Sequence, residues 1–319
     1  MAIIFGTKNN DVLVGTNSDD VVFDGDGNDV IVTAGGNDVI FAGKGGDIID
    51  GGADNDTIHY GSSDAAVQVN LATHIGHGGF AEGDFIMNVE NLVGSSFNDT
   101  LTGDDNDNTL NGGDGNDVIH GGGGRDTLIG GIGKDTLYSD NSIASFDGGE
   151  GIDTADFSGR TQSSSYYGYH PGGVYVDLAY QIVEYNGPYY HPWGPNGTIV
   201  GVENVNGTSF SDTLIGNYKD NVLTGNAGND FLTGNGGSDT FVYARHPGPV
   251  NFGNDQISDF TIGEDHVQFA TNIFGNFAAV QQHMSQVGGD VVITYDGDNS
   301  VTLHNVMMAN LHASDFVFV

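Results

Sequence analysis

The sequence contains no cysteine and few basic residues. Without cysteine, neither a disulfide framework nor a thiolate zinc site can form. Lys and Arg number 7 against 43 Asp and Glu among the 319 residues, which gives a net charge of -36 at pH 7. Binding to nucleic acid or to an anionic membrane surface depends on Lys and Arg contacts with phosphate groups. The composition therefore argues against both and favours cations as partners.

Long apolar runs are also missing. No segment approaches the about 18 consecutive apolar residues that a membrane-spanning helix requires. The N-terminal residues MAIIFG lack the basic region that opens a classical secretory signal. We therefore predict a soluble chain with no membrane span, which uses another route if it is exported. Disorder is not expected, because 37 % of the residues are apolar, more than an acidic disordered chain contains.

Glycine, with 53 residues, is arranged in a nine-residue repeat of the pattern G-G-x-G-x-D-x-U-x, where U is apolar. Units follow one another in frame over 6–59, 94–156 and 207–242, although the unit at 139–147 is degenerate. The sixth position is Asp in most units, and Asn stands there at 108 and 221. Repetition at a fixed short period is typical of a solenoid.

Each unit predicts a turn followed by a very short strand. Glycine accepts positive φ at little cost, so the first six residues form the turn, and the last three alternate sides so that U points inward. If each turn reverses the chain, unit n pairs with unit n + 2 about 4.8 Å away in one sheet. The residues predicted to face the common interior are Leu13, Val22, Ile31, Ile40, Ile49, Ile58, Leu101, Leu110, Ile119, Leu128, Leu137, Leu214, Leu223, Leu232 and Phe241.

The same stacking places the aspartates of alternate units above one another. Two bare carboxylates about 5 Å apart repel by about 1 kcal/mol in water and about 3 kcal/mol at an effective dielectric constant of 20. A cation between successive turns removes the repulsion. Sites of carboxylate and backbone carbonyl oxygens suit Ca²⁺ better than Mg²⁺ or Zn²⁺. We therefore predict several Ca²⁺ ions as cofactors, with folding linked to calcium binding.

The repeat resembles the nonapeptide GGxGxDxUx of RTX (repeats-in-toxin) calcium-binding proteins. The resemblance implies an all-β, right-handed parallel β-roll (a β-helix solenoid), here with inserted loops and a C-terminal antiparallel β cap. It also implies export by a type I secretion machinery that reads the C-terminus, and folding on extracellular calcium. The stretch DQISDF, Asp255 to Phe260, and the terminal DFVFV resemble the cap of secreted RTX proteases. The predicted metal ligands are Asp11, Asp20, Asp29, Asp38, Asp47, Asp56, Asp99, Asp117, Asp126, Asp135, Asp153, Asp212, Asp230, Asp239, Asp255 and Asp259.

Pairing of unit n with unit n + 2 predicts candidate calcium sites at 11/29, 29/47, 20/38, 38/56, 99/117, 117/135, 135/153, 108/126, 212/230 and 221/239. Some of these sites are expected to be weak or empty. The units that begin GTKNND, GTNSDD, GSSFND and GTSFSD lack the later glycines, and Asn108 and Asn221 interrupt the row of aspartates.

Two insertions separate the repeat runs and resemble each other, since VQVNLA leads to VENLVGSSFNDTL and VYVDLA leads to VENVNGTSFSDTL. Each predicts a short strand, a variable loop and a strand that returns to the repeat. The predicted organisation is β-roll 1 at 1–59, insertion a at 60–93, β-roll 2 at 94–156, aromatic-rich insertion b at 157–206, β-roll 3 at 207–245, and a cap with the secretion signal at 246–319. Within the cap we expect antiparallel strands, an Asp296-Gly297 hairpin turn and a short helix around 277–287.

The motifs of RTX-associated enzymes are absent, since the sequence has no H-E-x-x-H, no G-x-S-x-G and no Cys nucleophile. We therefore predict a non-enzymatic, secreted protein, extracellular or at the cell surface, with a structural, matrix or adhesion role and with self-association through its first coil. One alternative is an extracellular-polysaccharide-binding module that stacks sugars on Tyr189, Tyr190 and Trp193; another is an accessory module of a secreted enzyme. Those aromatic residues could equally pack on one another to fold the insertion.

Overall fold

Strands of three residues dominate the fold, because a nine-residue unit leaves only x-U-x to pair after its turn. The structure is a computed structural model that describes residues 1–139, 143–160, 173–185, 197–243 and 251–319. The described residues divide into two compact units, Met1–Asp153 and Thr154–Val319.

The first unit holds seventeen strands and a 3-10 helix at Gly79–Ala81. The strands are β1 Ile3–Phe5, β2 Val12–Val14, β3 Val21–Phe23, β4 Val30–Val32, β5 Val39–Phe41, β6 Ile48–Asp50, β7 Thr57–His59, β8 Gln68–Asn70, β9 Ile75–His77, β10 Phe85–Met87, β11 Asn91–Val93, β12 Thr100–Thr102, β13 Thr109–Asp114, β14 Val118–His120, β15 Arg125–Gly133, β16 Thr136–Tyr138 and β17 Ile143–Gly151.

The second unit continues the numbering. Its strands are β18 Thr154–Asp156, β19 Val174–Asp177, β20 Ile182–Tyr185, β21 Gly197–Val200, β22 Asn204–Asn206, β23 Thr213–Ile215, β24 Val222–Thr224, β25 Phe231–Thr233, β26 Thr240–Tyr243, β27 Asn254–Ile257, β28 His266–Phe269, β29 Met284–Val287, β30 Asp290–Thr294, β31 Ser300–Leu303 and β32 Phe316–Phe318. Its helices are α1 Phe277–Gln282 and the 3-10 helices Met308–Asn310 and Ala313–Asp315.

Alternate strands pair in parallel, as the repeat predicts. In the first unit, β1, β3, β5 and β7 form one ladder, and β2, β4 and β6 form another. Partners lie eighteen residues apart, as in Val22 with Ile40 and Ile31 with Ile49. The second unit repeats the scheme, with β23 on β25 and β22 on β24. The all-β roll of parallel strands is therefore confirmed.

The middle residue of each triplet fills the core. Every residue predicted to face the interior is buried, from Val22 at 0 % exposure to Leu13 at 7 %. Complete burial of such a side chain contributes about 1.5–3 kcal/mol to stability.

The insertions keep the stacking register although they break the nine-residue period. In insertion a, Ile86 pairs with Ile49 and Leu92 pairs with Ile58, so β10 and β11 take the next places on the two sheets. Strands β8, β9 and β10 are joined by antiparallel pairing. In insertion b, β19 and β20 form an antiparallel hairpin, and β19 stacks in parallel on β23.

The C-terminal cap is antiparallel only in part. Strands β29, β30 and β31 form an antiparallel meander, and residues 295–299 make the predicted turn between β30 and β31. Strands β27, β28, β31 and β32 pair in parallel and extend the two ladders of the roll. The predicted helix is shorter than expected: it is capped by Asn276 and ends at Gln282, and Met284–Val287 form a strand instead.

Candidate calcium-binding turns

A ladder of hydrogen bonds joins the aspartates at position six of alternate units. The backbone N–H of Asp29 donates to Oδ1 of Asp47 at 2.7 Å, and that of Asp117 donates to Oδ1 of Asp135 at 2.8 Å. The structure brings together the ten predicted pairs in this way, 11/29, 29/47, 20/38, 38/56, 99/117, 117/135, 135/153, 108/126, 212/230 and 221/239.

The ladder continues through residues outside the repeats. Asp84 Oδ1 accepts from the N–H of Asp47, Glu90 Oε2 accepts from that of Asp56, and Asp265 Oδ1 accepts from that of Asp239, each at 2.9 Å. The period does not reveal these three residues, because their sequence distances differ from eighteen. Their signal is an acidic residue directly before an x-U-x triplet, as in DFIM, ENLV and DHVQ.

Two predicted ligands in the cap have different surroundings. Asp255 Oδ1 accepts from the N–H of Asp230 at 2.8 Å and so lies on the ladder. Asp259 is half-buried and accepts from the N–H groups of Gly234 and Asn235 at 3.0 and 2.7 Å. The three predicted sugar-binding residues, Tyr189, Tyr190 and Trp193, lie outside the described residues.

Position five forms a second ladder that runs in the opposite direction. The N–H of Asn37 donates back to Asp19 Oδ1, and the N–H of Asn55 donates back to Asn37 Oδ1, both at 3.0 Å. The N–H of Lys134 donates back to Asn116 Oδ1 at 2.7 Å. The frequent Asn, Asp or Ser before the key Asp was the signal for this ladder. Adjacent coils are thus joined in both directions at every such turn.

The key carboxylates are buried, and many have one oxygen without a donor. Asp117 and Asp230 are each 1 % exposed. Their Oδ2 atoms have no hydrogen-bond partner among the described residues, and the same holds for Oδ2 of Asp29, Asp38, Asp47, Asp56, Asp135, Asp239 and Asp255. A buried carboxylate anion without compensation is costly. Rows of such oxygens fit Ca²⁺, which takes carboxylate and backbone carbonyl oxygens together.

The pKa values of the buried aspartates without metal reflect the same cost of burying a carboxylate anion. Burial raises the pKa of Asp230 to about 9, with the charge of Asp255 adding to the rise. Burial raises the pKa of Asp117 to about 7, because its backbone hydrogen bond from Asp99 compensates only in part and Asp135 lies near. These carboxyls would therefore hold protons near neutral pH unless a cation replaced them.

Asp24 is a further buried acid that the repeat pattern does not predict, since it occupies the position-one glycine site of its unit. It is 0 % exposed, and neither carboxylate oxygen has a donor in the part of the chain that the structure describes. Burial, followed by the charge of Asp47, raises its pKa to about 8.

The first glycine of a unit makes room for the key carboxylate. A Cβ at Gly225 would lie 2.1 Å from Asp230 Oδ2, and one at Gly112 would lie 2.1 Å from Asp117 Oδ2. At these two units position one is therefore restricted by the carboxylate itself, in addition to the turn.

We expect Gly225→Ala to destabilise the calcium-loaded protein by about 1–3 kcal/mol, the usual cost of overpacking a filled site, and to raise the calcium concentration needed for folding. Circular dichroism during a calcium titration measures both. Gly289→Ala is the matched control, because a Cβ there meets nothing within 4 Å. Equal effects of the two substitutions would contradict the assigned role of Gly225.

Comparison with known proteins identifies the repeat. The family model described as the RTX calcium-binding nonapeptide repeat, four copies, matches residues 5–40, 32–64, 89–119, 111–141 and 206–241. Repeats of this kind bind several Ca²⁺ ions, which confirms the predicted cofactor. No curated protein is similar enough to count as a match.

Among solved structures, the extracellular lipase LipA from Serratia marcescens matches with 19 % sequence identity and a TM-score of 0.29. The match covers 72 % of this chain and 40 % of the lipase, so the chain spans less than half of that protein's length. Nothing about activity follows from so slight a likeness. No helix in the described parts of the chain is long and apolar enough to cross a membrane.

Proposed function

We propose, from the premise that the chain belongs through its repeat runs to the RTX calcium-binding repeat proteins, that it is a secreted, non-enzymatic protein with a structural, matrix or adhesion role. The observation that carries the proposal is the row of buried Asp Oδ2 atoms without donors along the roll. Calcium would turn these costly groups into cross-links between successive coils, which would stiffen the roll and suits a structural role.

Export fits the same chemistry. A chain of net charge -36 whose folding depends on calcium stays unfolded where calcium is scarce, and folds where it is abundant. Such a chain suits a type I secretion machinery that accepts unfolded substrates. We propose that the cap, 246–319, carries the signal for it.

Self-association is supported by apolar side chains exposed on the first coil. Phe5 is 69 % exposed, Val12 is 73 % exposed and Ile3 is 60 % exposed. Light scattering in calcium over a range of protein concentrations tests this part of the proposal. We expect assembly that Phe5→Ser together with Val12→Ser abolishes, whereas a calcium-loaded chain that stays monomeric at every concentration would overturn it.

The alternative is a module that binds extracellular polysaccharide, alone or attached to a secreted enzyme. The specific observation in its favour is the aromatic sequence around Tyr189, Tyr190 and Trp193. Binding to a glycan array that is lost in Tyr189→Ala and Trp193→Ala would favour this alternative. Calcium-driven assembly without glycan binding would favour the structural role.

A further inference from the structure

The turns of the roll are of two kinds, which differ in the hydrogen bond at position two. In the first kind, here called closed turns, the N–H of position two donates to the side-chain oxygen of position six. Thr208 donates to Asp212 Oδ2 at 2.6 Å, and Asn217 donates to Asn221 Oδ1 at 2.8 Å. The closed turns are 7/11, 16/20, 95/99, 104/108, 208/212 and 217/221 in the repeats and 261/265 in the cap.

The hydroxyl of Thr or Ser strengthens four of these turns. Thr7 Oγ1 donates to Asp11 at 2.8 Å, Thr208 Oγ1 donates to Asp212 at 2.9 Å, and Thr16 and Ser95 make the same bond. A closed turn therefore supplies its carboxylate with donors from its own residues.

In the second kind, here called open turns, Oδ2 of the position-six Asp has no donor from any described residue. The pairs of position two and position six are 25/29, 34/38, 43/47, 52/56, 113/117, 131/135, 226/230 and 235/239. In seven of these eight, position two has positive φ, for example 113° at Gly131, 81° at Ala34 and 70° at Asn226. In these seven turns a positive φ at position two accompanies a carboxylate oxygen without a donor, and Gly43 is the exception.

The two kinds follow a fixed order. The first two units of every run are closed, over 6–23, 94–111 and 207–224, and open turns come after them. Two units are eighteen residues, which is one complete coil. Each run therefore begins with one closed coil.

The asparagines at position six support the same division. The side-chain amide of Asn108 donates to the backbone carbonyl of Glu90 at 2.9 Å, and that of Asn221 donates to the carbonyl of Glu203 at 2.8 Å. In each case a side-chain N–H joins two successive coils directly. Both copies of the duplicated insertion are followed by this arrangement.

We propose that calcium is confined to the open turns, and that each run is built on one coil whose turns close with their own hydrogen bonds. The proposal rests on the calcium-binding function proposed above. It explains why the units with few glycines stand at the start of each run: a closed turn needs no left-handed residue at position two.

Two matched pairs of substitutions in the full chain test the proposal. Asp230→Asn and Asp117→Asn alter open turns, whereas Asp212→Asn and Asp99→Asn alter closed turns. All four residues are at most 3 % exposed, and Asn keeps an oxygen that accepts from the backbone N–H on the ladder. Bound calcium per chain is counted by elemental analysis after free calcium is removed, and calcium positions are located by crystallography.

We expect each open-turn variant to bind at least one ion fewer than the wild type, and each closed-turn variant to bind the same number. Loss of ions in Asp212→Asn or Asp99→Asn, or calcium found on Asp11, Asp20, Asp99 or Asp212, would overturn the proposal. Unchanged counts in both open-turn variants would overturn it as well. If the wild type bound no calcium at all, the proposed function would fail instead. Two pairs are used so that failure of one variant to fold leaves the comparison intact.

Discussion

Withdrawal of calcium with a chelator is expected to abolish the β-sheet circular dichroism signal at neutral pH, and calcium added back is expected to restore it. Ten buried Asp Oδ2 atoms, that of Asp24 included, have no donor among the described residues in the absence of metal. Each open-turn aspartate that remains a buried anion destabilises the roll. The core holds only one apolar residue per unit, so its burial contributes little free energy to offset this cost.

The expected effect is comparable to the whole stability of an ordinary domain. A site that binds only the folded state contributes about 2.7 kcal/mol when free calcium is 100 times its dissociation constant. The summed contribution of several such sites equals the free energy of unfolding of a typical domain, about 5–15 kcal/mol. We therefore expect the calcium-free chain to be unfolded even at temperatures well below the physiological range.

Magnesium at the same concentration is the control, because its preference for tight octahedral geometry and retained water suits these sites poorly. A melting temperature that is equal with chelator and with calcium would contradict the prediction. Full recovery by magnesium would show that the sites select charge alone.

The period of the sequence was sufficient to predict the ladder and the core, because both depend on positions that recur. Ile40 is buried for the same reason as Ile58. The backbone N–H of Asp38 donates to Oδ1 of Asp56 in the same way as the N–H of Asp20 donates to Oδ1 of Asp38. A core residue in such a repeat meets equivalent neighbours from one coil to the next.

The nine-residue period could not predict those positions in the ladder that are occupied by residues from outside the repeat units. Asp84 continues the ladder 37 residues after Asp47, because insertion a forms a loop before it returns to the sheet. Tyr60 donates to Asp84 at 2.8 Å and is wholly buried, a pairing that no local pattern shows. The end of helix α1 depends likewise on tertiary pairing, since β29 pairs with β30.

The sequence predicts the division into closed and open turns only in part. The missing glycines after Thr7, Thr16, Ser95 and Thr208 suggested weak sites. None of the seven closed turns has positive φ at position two, whereas Ala34, Asn226 and Asn235 adopt positive φ in open turns without being glycine. Residue type therefore indicates the turn conformation but does not determine it.

Without calcium, acid is expected to stabilise the fold. Burial raises the metal-free pKa to about 9 for Asp230, about 8 for Asp255 and about 7 for Asp239, whereas an unfolded Asp titrates near its ordinary value of about 3.9. A group whose pKa is raised on folding contributes stability that is complete below the unfolded pKa and is lost as pH rises through the folded pKa. The calcium-free chain should thus become more stable as pH falls from about 9 to about 4.

With calcium the slope should reverse, because protons compete with the ion for the same oxygens. The β-sheet circular dichroism signal at low temperature, followed from pH 4.5 to 9 with calcium and with chelator, should give two curves that converge toward acid pH. Asp230→Asn is expected to flatten the calcium-free curve, while Asp298→Asn, which alters an exposed carboxylate, leaves it unchanged. Slopes of the same sign in the two conditions would show that the buried aspartates do not carry the calcium dependence.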